Sequence, residues 1–169
     1  KPQVIPGHHL YFVIVGTCII ACVCFGVNAV SSLRGADLRS STVVVNTMLA
    51  SVTGALSCRV YMMSTGMKTD PSMMCNGMLA GLVAVTAPCS FIDSCAAALL
   101  GAIAGVLVVI SVFFWDRVGE DDPVGAISVH DVCGTHGTLC VGIFANRKYG
   151  EYVYGVEGNG QDNMYGSDG

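Results

Sequence analysis

Residues 10–30 read "LYFVIVGTCIIACVCFGVNAV" and residues 95–115 read "CAAALLGAIAGVLVVISVFFW"; neither run carries a charge. About 20 such residues, rising about 1.5 Å each as a helix, cover the roughly 30 Å hydrocarbon core of a bilayer. Lipid offers the backbone no hydrogen-bond partner. A spanning segment must therefore bond internally as a helix, or belong to a closed barrel. Runs this long and this apolar select the helix. Only 12% of the chain is charged, against about 25% in a soluble domain.

Three further segments share this character, at about 41–63, 74–92 and 123–145. In the second, Arg59 lies close enough to the end to snorkel to the interface. In the third, Pro88 with Gly77 and Gly81 predicts a bent or interrupted helix, tolerated where protein or water satisfies the freed backbone. Trp115 closes the fourth at an interface. The expected fold is all-α: five transmembrane helices, short polar connections that make neighbours antiparallel, and an extramembrane tail over 146–169. The pairs Gly77/Gly81 and Gly101/Gly105, with Ala98/Ala102 nearby, have the small-xxx-small spacing that lets membrane helices approach closely. Charge does not orient the bundle. Lys1, Arg59, Lys68 and Arg117 would share one side; Arg34, Arg39, Arg147 and Lys148 would share the other.

The fifth segment, "DDPVGAISVHDVCGTHGTLCVGIFA" (121–145), carries the chemistry. Asp121 and Asp122 suit a helix N-terminus, and Pro123 suits its first turn. Farther in stand His130, Asp131 and His136. A charge at mid-bilayer costs roughly 2.5–3.5 kcal/mol on insertion scales, so Asp131 should not face lipid. In a straight α-helix His130 and His136 lie about 120° apart, too divergent to share one metal. His130 would share a face with Cys133, Gly134 and Gly137, where an imidazole over small residues can line a narrow opening. His136 would share one with Val132, Cys133 and Cys140, which suits packing. From the residues alone, two roles stay open for the intramembrane histidine: an interhelix hydrogen bond, or conduction and proton handling.

Eight of the nine cysteines lie within apolar runs and the ninth, Cys95, starts one; the chain has no CxxC pair. They read as small buried hydrophobes. Met62, Met63, Met67, Met73, Met74, Cys75 and Met78 would suit a soft-metal carrier, but methionine is an ordinary gap-filler. No cofactor and no metal site is expected. The net charge of −4 comes without a basic patch, so no nucleic-acid partner is expected. The chain opens on Lys1 with neither an initiator Met nor a signal-peptide pattern, and reads as a fragment or processed product.

With these residues in view, the chain resembles the Amt/MEP/Rh ammonium transporters. The 121–145 stretch resembles that family's pore-histidine helix. "NGMLAGLVAVTAPCSFIDSCAAALLGAIAGVL" resembles its "NG-x-x-AGLV-x-(I/V)T" helix and the one after it. "CFGVNAVSSL" is similar to "WFGFNAGS", and "VVVNTMLASVTGAL" to "AVNT-x-LA-x-x-x-GAL". The similarity runs in order almost from end to end.

The resemblance implies eleven spanning helices in two inverted five-helix repeats, with a pore in each subunit of a homotrimer in the plasma membrane. This chain would be helices six to ten, half of that bundle: a partial ammonium transporter domain over 1–169, partnered by the missing first-repeat helices. It implies that residues 31–40 and the tail lie outside and that 64–73 and 116–122 lie inside. The substrate would be ammonium or ammonia, moved without enzymatic conversion. His130 would be the second of two pore histidines, and Ser31 a vestibule serine that contacts ammonium. Asp121 and Asp122 would be the structural pair that opens the tenth helix. Three positions depart from the family pattern. Cys24 replaces a Trp, Asp131 replaces a Gly where close helix packing is expected, and His136 replaces a Trp. A nonconducting protein that binds or senses ammonium, or a half-repeat that assembles with another chain, is the alternative.

Overall fold

The computed structural model describes residues 8–31, 38–120 and 122–145. Five helices follow one another: α1 (Leu10–Val30), α2 (Leu38–Ser64), α3 (Pro71–Thr86), α4 (Ser94–Val118) and α5 (Cys133–Phe144). A π-helical turn, Ile127–Val132, leads directly into α5. Among the described residues there is no strand. Three helical stretches, Leu10–Val30, Ser40–Ser64 and Ser94–Val118, are each long and apolar enough to cross a membrane. The chain is thus an all-α membrane protein.

Helix α2 is the hub and packs against α1, α3 and α4, while α5 lies across α3 and α4. The small residues explain how the backbones come so close. A Cβ on Gly81 or on Gly101 would strike the Ala50 carbonyl. One on Gly105 would strike the Gly54 carbonyl, and one on Gly137 the Ala84 carbonyl. Both glycine pairs read from the sequence therefore face α2. Gly54, on α2 itself, answers them: a Cβ there would meet the Gly77 carbonyl. Without a hydrophobic driving force between helices, this close van der Waals fit is what holds a membrane bundle together.

The third segment is interrupted, but in a more definite way than a bend. Asp70 caps α3 by accepting the Ser72 N–H at 3.1 Å, and Pro71 fills the first helical position. The helix stops at Thr86, 16 residues on, so it rises only about 24 Å. The chain then turns through residues 87–91 around Pro88. Asn46 of α2, fully buried, closes this break. Its amide donates to the carbonyls of Cys89 at 3.0 Å and Ile92 at 2.9 Å. Its own oxygen accepts from the Ser94 hydroxyl at 2.9 Å. Irregular backbone is thus satisfied by protein at the point where α3 yields to α4.

At the other edge α1 is mostly uncovered; its buried residues are Thr17, Ala21 and Asn28. Asn28 donates to the Thr47 hydroxyl at 3.2 Å, and Thr47 donates to the Val43 carbonyl at 2.7 Å. Arg59 is exposed, five residues before α2 ends at Ser64.

Candidate functional site

The fifth segment is not yet helical at Asp122. Asp121 lies outside the described residues. Asp122 accepts the Ala126 N–H at 2.7 Å on one carboxylate oxygen and the Ile127 N–H at 3.0 Å on the other. It therefore caps from four residues upstream, and Pro123 sits in the intervening turn. The turn is possible because Gly125 takes φ +67°, the left-handed region that side chains disfavour. Asn76 of α3 stands over this glycine, its amide nitrogen 3.1 Å from where a Cβ would lie.

The π turn is wider than an α turn, because its hydrogen bonds span one residue more. Each residue then advances by less than the roughly 100° of an α-helix. Residues upstream of Cys133 are thereby rotated away from the positions that α geometry would assign. Ser128 and Val129 turn inward and are buried, while His130 and Asp131 turn outward and are exposed. At the junction with α5 the Cys133 thiol reaches back to the Ser128 carbonyl at 3.3 Å. The Ser128 hydroxyl is buried without a hydrogen-bond partner among the described residues.

This corrects the face expected for His130. Cys133 and Gly137 are buried against the bundle, and His130 is not with them. Asp131 likewise is not packed against the described helices as a glycine there would be; it is exposed, and its carboxylate bonds to no described residue. His136 behaves as expected for a packing residue. It is half-buried, its two ring nitrogens 3.7 and 3.8 Å from the Cys140 sulfur.

Ser31 caps the C-terminus of α1, exposed, with its hydroxyl donating to the Val27 carbonyl at 2.9 Å. With Gly26, Val27 and Val30 it borders an open hollow of about 440 Å³. Helix α1 touches neither the π turn nor α5, so these five helices do not bring Ser31 and His130 together. Met62, Met67 and Met73 pack in or against the core. Two features escaped the sequence reading. The Asn46 clamp had a visible signal, an amide in an apolar run. The π turn had none beyond Gly125.

Residues 1–167 match the sequence pattern of the Ammonium Transporter Family. The chain belongs to the ammonium transporter family. Ammonium transporter Amt2 of Archaeoglobus fulgidus is 42% identical over 153 residues, which cover 90% of this chain and 33% of the relative. Ammonium transporter Amt1 of Haloferax mediterranei is 33% identical over 158 residues, 86% of this chain and 30% of the relative. Among solved structures, a "Sensor Amt Protein" superposes with a TM-score of 0.80 at 34% identity, over 84% of this chain and 35% of that one. Candida albicans Mep2 gives 0.80 at 28% identity, over 92% and 33%. This ammonium transporter family chain thus spans about a third of the length of such relatives. Like them it is an integral membrane protein.

Proposed function

We propose that residues 1–169 form the second five-helix repeat of an ammonium transporter and supply one wall of its pore. In this reading ammonium or ammonia crosses the plasma membrane without chemical conversion. The first-repeat helices supply the other wall, and three copies assemble. His130 lines the path, Ser31 contributes to the outer vestibule, and Asp121 with Asp122 starts the pore helix.

The observation that carries the reading is the outward rotation of His130. A polar imidazole in a membrane segment belongs beside protein or water rather than lipid. The π turn puts it on the side of the fifth segment that α3 and α4 leave open. That open side is where a second repeat would face it. The Asp122 cap and the buried Ser128–Val129 face anchor the turn from behind.

The test is uptake of methylammonium by cells lacking their own ammonium transporters. The complete gene product should give saturable uptake, and residues 1–169 alone should give none. Saturable uptake by the isolated chain would refute a pore built between two repeats. A second reading, ammonium sensing, is favoured by the 34% identity to the "Sensor Amt Protein". It expects ammonium binding to the complete protein without uptake.

A further inference from the structure

The outer surface of the fifth segment is sorted by chemistry. His130, Asp131, Thr135 and Thr138 are all exposed. So are Leu139 and Ile143, at 68% and 73%. At about 100° per residue Thr135 and Thr138 lie about 60° apart, and Leu139 and Ile143 about 40° apart on the adjoining flank. One flank is thus apolar and the other is polar from the π turn onward. The polar flank carries the only carboxylate of the described residues 123–145. The Thr138 hydroxyl is occupied by the Gly134 carbonyl at 2.9 Å. The Asp131 carboxylate has no hydrogen bond or ion pair to any described residue.

A carboxylate in this position needs a polar counterpart outside the five helices. Two kinds are available: a fixed cation on another helix, or a mobile cation in a wet path. Close helix contacts in this bundle are made by glycines against backbone, as Gly137 is against Ala84. The polar flank presents imidazole, carboxylate and hydroxyls instead, a lining suited to water and solute. A carboxylate there accepts N–H bonds from a cation and offers none to a neutral amine's lone pair. Such bonds to an ionised acceptor are about twice as strong as neutral ones.

Resting on the transporter reading above, we propose that Asp131 is a cation-selecting residue of the path. Its carboxylate, one residue on from His130 and exposed with it, takes the ammonium or methylammonium ion in preference to neutral ammonia. No covalent step is involved.

The experiment uses the complete gene product in proteoliposomes and reads ammonium-evoked current against concentration for wild type, Asp131→Asn, Asp131→Gly and Asp131→Glu. Ammonium-dependent thermal stabilisation in detergent is measured in parallel. The half-saturating concentration should rise roughly tenfold or more for Asn and Gly, the loss expected of one charge-assisted hydrogen bond. Current should persist at high ammonium, and Glu should stay near wild type. Equal half-saturation in wild type and Asn overturns the proposal. So does failure of Asp131→Asn to fold, since the carboxylate would then be a fixed structural partner. A silent wild type refutes transport alone. Thermal stabilisation then decides the Asp131 site, which stands if wild type is stabilised at lower ammonium than Asn and falls if the two coincide.

Discussion

Replacing Asn46 with Ala should be among the most damaging single changes outside the glycine contacts. The side chain is fully buried and makes three hydrogen bonds, two of them to carbonyls of the broken backbone between α3 and α4. At the membrane average of about 0.6 kcal/mol per interhelix bond, the loss is about 2 kcal/mol. At the soluble-protein value of about 1 kcal/mol each, it is about 3 kcal/mol. The membrane figure is lower because a helix loosened within lipid finds other partners. These carbonyls are held in a turn around Pro88, where no helical N–H can replace the amide, so the higher figure applies. The comparison is Ser94→Ala, which removes one of the three bonds and should cost about 0.6–1 kcal/mol. Reversible unfolding in mixed detergent micelles measures both, and hydrogen exchange should report local opening at residues 92–97. A loss for Asn46→Ala no greater than for Ser94→Ala would refute the clamp.

Within the complete protein, His130→Ala should change methylammonium uptake or its selectivity at unchanged expression, whereas His136→Ala should have a smaller effect; equal losses would contradict the outward and packed placements. Gly101→Ala should cost about 1–3 kcal/mol, because its methyl would meet the Ala50 backbone. Gly16→Ala, with nothing within 4 Å, is the control, and equal thermal stability of the two would refute the close α2–α4 contact. Ser128→Ala should leave stability unchanged or raise it by about 1 kcal/mol, since the hydroxyl is buried without a partner among the described residues. A clear loss in detergent melts would mean that the hydroxyl is bonded in the assembled protein.

What the sequence determined by itself was the solvent and the family. Two uncharged 21-residue runs are apolar enough for lipid and long enough to span it, and there the backbone must bond internally, which in runs of this length means a helix. The motifs from "CFGVNAVSSL" to the pore-histidine helix named the relatives. Spacing also singled out Gly77/Gly81 and Gly101/Gly105, because close approach demands a missing Cβ wherever it occurs. What it did not determine was rotation. The angle between His130 and the Cys133–Gly137 face was read at α-helical pitch, and only the packed structure widens that turn to a π-helix. The widening is set jointly by the Asp122 cap, the left-handed Gly125 under Asn76, and the fit of Ser128 and Val129 against neighbouring helices. Asp131 moved with it, from an expected packing contact to the open surface. The break after Thr86 followed the same logic. Pro88 announced an interruption, but its form depended on Asn46, 42 residues away in sequence. A side chain on another helix supplies the bonds that the local chain has lost, and local sequence carries no record of that partner.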